Sequence, residues 1–294
     1  CAKKALLRPI ISIEELKEKA KTSQIADMEL KILEGIQKTG IGTQGLGGSL
    51  TAFGVSVETY PCHIASMPVA VNINCHAARH AEITLNDSTN IPDEIIPEFE
   101  IPEFKKSDCS TELKKVSLPL QQEDIENLKA GESILLNGYM YTGRDAAHKR
   151  LLECVKNNQT LPVDLKGQTI YYVGPCPAKE NEVIGPAGPT TSGRMDAYTP
   201  DMLKLGLKGM IGKGYRNYSV IEAIKEYKAI YFVSTGGAGA LLAQKIKEAE
   251  VVAYEDLGPE AIYKLKIEDF PVTVCIDSKG NNYYEIGKAL YEKK

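Results

Sequence analysis

Between Thr39 and Ala78 the chain carries one formally charged side chain, Glu58, in forty residues, where ordinary composition would place about ten. A stretch so poor in charge is expected to be buried. It does not read as a membrane span. Six glycines fall between Gly40 and Gly54, Pro61 and Pro68 follow, and Asn72 and Asn74 lie in the second half, too many interruptions for a continuous apolar helix. Backbone packed against backbone, or against a cofactor, is the reading that fits glycines this dense.

The 294 residues suit two domains, at roughly 150 residues each. Lys and Arg total 35, Asp and Glu 39, the net charge is -4 and the pI is near 5.8. That balance argues against binding a phosphate backbone, so no nucleic-acid partner is expected. No basic stretch followed by an apolar run marks secretion, and no membrane partner is expected. Cys1, Cys62, Cys75, Cys109, Cys154, Cys176 and Cys275 are irregularly spaced and lack a C-x-x-C pair. The pattern favours reduced thiols in a cytoplasm over a disulfide framework and excludes the usual zinc spacings. Position 1 is Cys, and the run from Ala2 to Arg8 reads as the middle of a helix, as in a fragment or a processed product.

Ile25, Met28, Leu30, Ile32, Leu33 and Ile36 recur at helical spacing after a cap at Ser12, which predicts one helix from Ser12 to Gln37, stopped by Thr39 and Gly40. Ala70 to Asn74 alternates like a strand. From Asn86 to Lys115 three prolines, several acids and a Lys-Lys pair show little periodicity and read as a linker. Residues 1–86 therefore form one expected domain, 87–115 the connection and 116–294 the second domain. In the second, strands are predicted at Ser133–Leu136, Thr169–Val173, Gly209–Gly212, Ala229–Ser234, Val251–Tyr254 and Val272–Ile276. Helices are predicted at Arg144–Val155, Ser219–Tyr227 and Ala240–Glu248. This alternation predicts an α/β domain with a largely parallel sheet.

Within the charge-poor window, Cys75 reads either as a small buried core thiol or as a metal thiolate. His63 reads either as a neutral core histidine with one hydrogen bond or as a functional group. The second domain places three cations beside glycines, in Thr142-Gly143-Arg144-Asp145, in the hydroxyl-rich run from Gly188 to Arg194, and in Ile211-Gly212-Lys213-Gly214. Arginine forks a carboxylate bidentately and lysine supplies a point charge, so Arg144, Arg194 and Lys213 together suit a small dicarboxylate. A surface salt bridge is the plain alternative for each. Gly209 to Lys213 lacks the spacing of a phosphate-binding loop, and Gly237-Ala238-Gly239 lacks the third glycine of a dinucleotide fingerprint.

Together these blocks resemble the iron-sulfur-dependent class I fumarate hydratases and their L(+)-tartrate dehydratase relatives. The resemblance is carried by Gly40-Ile41-Gly42 through Gly48, His63 through Val71, Cys75-His76-Ala77-Ala78-Arg79, Tyr141 through Arg150, Tyr172-Val173-Gly174-Pro175, Gly188 to Asp196, and Gly212-Lys213-Gly214. It implies an α/β fold in which a C-terminal swivelling β/β/α domain follows the C-terminal remnant of an α+β iron-sulfur cluster domain. It also implies a [4Fe-4S] cluster held by three cysteines with one iron open as a Lewis acid. Only the last cysteine matches, at Cys75, and the other two expected ligands lie upstream of this chain.

By position, the resemblance makes His63 and Thr190 the catalytic residues and Arg144, Arg194 and Lys213 the substrate-binding cations. Thr190 matches the family's base, its hydroxyl activated by Arg194 and Lys213; the alternative is that Thr190 only hydrogen-bonds substrate while an upstream acid moves the proton. The implied function is a hydro-lyase of the tricarboxylic acid cycle, hydrating fumarate to L-malate reversibly as a cytoplasmic homodimer. Dehydration of L(+)-tartrate is the near alternative. An inactive dicarboxylate-binding or assembly fragment, lacking the upstream ligands, is the alternative of another class.

Overall fold

A computed structural model describes residues 2–75 and 113–293. The chain divides into two compact units, residues 2–9 with 56–75 in one and 10–55 with 113–293 in the other. The expected linker over 87–115 lies outside the described residues up to position 112, as do Cys1, Cys109 and His76 to Arg79.

In the smaller unit, α1 (Ala2–Leu6) buries Ala5. Glu58, the lone charge of the window, sits 3.8 Å from both Lys4 Nζ and Arg8 Nη1, and Arg8 also donates to the Val57 carbonyl at 3.0 Å. Beyond it the expectation of burial fails. Residues 59–75 are exposed, with Ile64, Met67, Val69, Val71 and Ile73 all more than three-quarters accessible. The strand expected over 70–74 does not form. Apolar alternation supplies a face but not a hydrogen-bonding edge, and among the described residues no strand pairs with it.

The larger unit opens with two helices where one was expected, α2 (Ile13–Ala20) and α3 (Gln24–Lys38). Two caps divide the periodic run. Ser12 Oγ accepts from the Glu15 amide and Ser23 Oγ accepts from the Ala26 amide, so the chain restarts a helix at Ser23. The pair buries Leu16, Ala26 and Leu33, with Leu30, Ala52 and Val55 against them. The glycine-rich loop then packs backbone on backbone, as read from its composition. A Cβ built on Gly47 (φ 85°) would stand 2.2 Å from the Gly287 carbonyl oxygen, and one on Gly287 would stand 2.1 Å from that of Leu46.

The remainder runs β1 (Lys114–Leu118), α4 (Gln122–Asn127), β2 (Ser133–Thr142), α5 (Asp145–Lys156), β3 (Thr169–Tyr171), α6 (Thr199–Lys204), β4 (Gly209–Gly212), α7 (Tyr218–Tyr227), β5 (Ile230–Val233), α8 (Gly239–Ala243), β6 (Ile246–Ala253), β7 (Ile262–Ile276) and α9 (Tyr283–Tyr291). It is a mixed α/β arrangement around one seven-stranded sheet, ordered β1-β2-β3-β4-β5-β7-β6. Strands β2 to β5 are parallel as expected, β1 joins them in parallel where no strand was expected, its first two residues falling in the expected connection, and β7 runs antiparallel to β5, β2 and β6. Because β7 pairs with β2 as well as β5, the strands β2-β3-β4-β5-β7 close into a ring.

Side chains alternate across this ring with the strand period of two. Tyr171, Ile211, Ile230, Phe232 and Val274 join Leu136, Met140, Leu265 and Phe270 in one core. Ile170, Tyr172, Met210, Tyr231 and Cys275 face the other way and meet Leu151, Met202, Leu203, Val220 and Ile224 of the helices. The helix expected over 240–248 ends at Ala243, and β6 begins at Ile246. Its alternating charges, which suit a helix face equally well, decorate an edge strand on β7, where Lys266 Nζ reaches Glu248 at 2.8 Å.

Candidate active site

Strands β2 to β5 are parallel, so the loops that follow them emerge at one end of the sheet, where open α/β sheets bind ligands. Arg144 follows β2 as the cap residue of α5. Its strand end is pinned by Thr142, whose hydroxyl donates to the Ala261 carbonyl and accepts from the Tyr263 amide. Thr190 lies on the loop after β3, and Lys213 directly follows β4. The Thr190 amide donates to the Tyr172 carbonyl at 2.7 Å, the Lys213 amide to the Thr190 carbonyl at 3.3 Å, and the Ser192 amide to the Lys213 carbonyl at 2.8 Å. The loop is thus stitched alongside the extension of β4. Gly212 permits this: a Cβ there would stand 2.0 Å from Ser192 Oγ.

Arg194, in a 3-10 turn over Ser192–Met195, donates to both oxygens of Asp145, from Nε at 3.0 Å and Nη2 at 2.7 Å. Arg144 places Nη2 at 3.3 Å from Glu260 and Nε at 4.0 Å from Asp145. Its Nε is buried and has no hydrogen-bond partner among the described residues. The two arginines therefore carry acidic partners, as the salt-bridge reading allowed. Asp145 stands within the recognised motif, while Glu260 is distant in sequence and no local pattern pointed to it. Lys213, half-buried, makes no ion pair among the described residues. It lines a small open recess with Gln44, Leu46, Val233, Ser234, Thr235, Thr273 and Tyr284.

Beneath these loops lies a buried ion pair that sequence reading passed over. Arg216 donates to Asp196 at 2.6 Å and to Thr199 Oγ1 at 2.6 Å, with its guanidinium over the rings of Tyr172 and Tyr231 at 5.5 and 5.0 Å. Asp196 also accepts from the Asn217 amide at 2.7 Å. The pair ties the loop after β3 to that after β4, which carry Thr190 and Lys213. His148, on α5, is fully buried, and Nδ1 bonds the Arg144 carbonyl at 2.8 Å. Burial is the main cause that pushes its pKa down to about 4. The ring is therefore neutral at physiological pH, and the Nδ1 proton is the one placed on the carbonyl.

His63 and Cys75 belong to the smaller unit, whereas Arg144, Thr190, Arg194 and Lys213 share the larger. Both are exposed, so neither is the buried core residue that formed the plain reading. His63 Nδ1 accepts from the Ala65 amide at 3.1 Å, and the Cys75 amide donates to Asn74 Oδ1 at 3.0 Å. Among the described residues no three His, Cys, Asp or Glu side chains are grouped to hold a metal ion. One cysteine, Cys75, does not make a cluster site, so the described residues do not by themselves fit a [4Fe-4S] group.

A family profile described as the fumarase C-terminus matches residues 84–287, and one described as fumarate hydratase matches residues 1–84. The chain is 35% identical over 277 residues to the aerobic class I fumarate hydratase of Escherichia coli, covering 88% of this chain and 48% of that protein. It is 33% identical over 309 residues to a putative class I fumarate hydratase of Geobacillus stearothermophilus, covering 99% and 58%. It is 38% identical over 181 residues to a putative L(+)-tartrate dehydratase subunit beta of Methanocaldococcus jannaschii, covering 59% of this chain and 93% of that subunit. The chain thus spans about half the length of the curated fumarate hydratases it matches. With one profile alone spanning more than half of its residues, the chain belongs to the class I fumarate hydratase and L(+)-tartrate dehydratase family.

Proposed function

We propose that this chain supplies the dicarboxylate-binding and proton-transfer side of a hydro-lyase that interconverts fumarate and L-malate. The observation that carries the reading is the convergence of Arg144, Thr190, Arg194 and Lys213 on the loops at the carboxyl ends of β2, β3 and β4. Asp145 takes the Nε edge of Arg194, and the side chain is half exposed. The outer Nη edge then faces a substrate carboxylate, with Lys213 and Arg144 as the further cations. Charge that builds beside a carboxylate when the neighbouring C–H proton leaves is stabilised by such fixed cations.

In this proposal Thr190, held as the alkoxide by the positive charge of Arg194 and Lys213, takes that proton on dehydration and becomes the hydroxyl while the hydroxide of L-malate leaves from the neighbouring carbon; on hydration hydroxide adds to that carbon and the Thr190 hydroxyl returns its proton. Thr190 is half-buried, and its hydroxyl has no hydrogen-bond partner among the described residues. His63 is assigned to the same reaction through the family resemblance. The [4Fe-4S] cluster enters the proposal through the family resemblance, with Cys75 as one ligand. Among the described residues no side chains are grouped as a metal site, and the binding and proton-transfer roles above belong to Arg144, Thr190, Arg194 and Lys213. The domain division at 1–86, 87–115 and 116–294, the swivelling of the second domain, the homodimer and the cytoplasmic setting enter on the same footing.

The experiment uses the full-length protein, reconstituted anaerobically with iron and sulfide. Hydration of fumarate by the wild type, and its loss by at least a hundredfold in kcat/KM for Arg194→Ala, is the expected result. Wild-type rates in that variant would overturn the site assignment. The match to nearly the whole of a tartrate dehydratase subunit favours L(+)-tartrate as a second substrate, and kinetics with both substrates on one preparation separate the two.

A further inference from the structure

Gln44 occupies a conformation that its chemistry does not favour. In the 3-10 turn over Thr43–Gly45 its backbone sits at φ 59° and ψ 13°, the left-handed region, between Gly42 at φ 68° and Gly45 at φ 81°. Glycine would take this shape without strain. The turn does not need the Gln44 side chain to dock, because the glycine loop already meets α9 through Gly47 on Gly287. Strain retained where a simpler residue would serve points to the side chain.

That side chain reaches the end of β5. The Gly236 amide donates to Gln44 Oε1 at 3.3 Å. A Cβ built on Gly236 would meet Gln44 Oε1 at 3.1 Å and Lys213 Nζ at 3.2 Å, so amide and ammonium converge over a position only glycine leaves open. Both line the recess with Ser234 and Thr235. With Oε1 engaged by Gly236, the amide orientation leaves the two Nε2 protons, which have no partner among the described residues, as donors beside the ammonium.

We infer that Gln44 is a substrate-binding residue, donating from Nε2 to the carboxylate that Lys213 pairs. The inference rests on the dicarboxylate reading above and adds to it a neutral donor from a segment remote in sequence from the cations. An amide donor beside an ammonium fixes the orientation of the bound carboxylate, which a point charge alone leaves free.

The test compares wild type, Gln44→Gly and Gln44→Asn in the full-length reconstituted protein, measuring KM for L-malate and fumarate alongside Tm. Gly suits the backbone without an amide. Asn tolerates the left-handed region and carries the amide one methylene short. The expected result is a KM raised about tenfold or more in both variants, the loss of one hydrogen bond to a charged group, with Tm unchanged or higher in Gln44→Gly. A wild-type KM in both variants, with or without a lower Tm, would overturn the inference and leave the dicarboxylate reading standing. A wild type that neither binds nor converts any dicarboxylate would sink both.

Discussion

At the scale of single residues, the cations of the site were legible because arginine or lysine beside glycine is a local pattern. Their partners were not. Arg194 is forked by Asp145 across 49 positions, and Arg144 meets Glu260 across more than a hundred; such pairings exist only once strands are brought side by side. His148 stands inside a local motif, but its burial exists only in the folded chain and makes stability depend on pH. Its folded pKa, near 4, lies below the ordinary 6.5 because burial penalises the charged ring. Between those values the unfolded chain binds more protons than the folded one. The contribution is therefore fully present above about pH 6.5 and is lost as pH falls toward 4, amounting to about 3 kcal/mol. Urea unfolding of the wild type across pH 7 to 4 should show that decline beyond what a His148→Phe variant shows, and parallel curves for the two would refute it.

At the scale of elements, sequence periodicity located most of the strands but left β1, α4, α6 and α9 unassigned, and the segments it assigned wrongly share one cause. A pattern states which face is apolar, not what lies against it. The run from Ser12 to Gln37 is helical throughout except where Ser23 competes as a cap. The segment over 246–253 carries charges compatible with a helix but pairs with β7, and residues 70–74 alternate like a strand yet have no neighbouring strand among the described residues. Glycine offers the sharpest test here. Gly287→Ala places a methyl against the Leu46 carbonyl, a backbone atom that cannot rotate aside, and should cost about 1–3 kcal/mol. Gly35→Ala, in α3 with nothing within 4 Å, should instead stabilise by up to about 1 kcal/mol. Denaturant midpoints of the two variants should move in opposite directions.

At the scale of the whole molecule, the ring of strands closed by β7 surrounds a core of fully buried side chains, while residues 59–75 are exposed and form no helix or strand. Hydrogen exchange on this chain should therefore be slowest in β4 and β5 and fast throughout 59–75; protection of the latter equal to that of β5 would contradict the description. By itself the sequence determined the alternation of strands and helices, the close-packed glycine loop, the glycine-flanked cations and the family, all of which rest on residue type and short spacing. The tertiary structure alone decided the antiparallel closure by β7, the carboxylates that hold the arginines, the Arg216–Asp196 pair under the loops and the meeting of Gln44 with Lys213 over Gly236. Each of these joins residues far apart in the chain, and such contacts are selected by the packing of the whole fold, which no local spacing encodes.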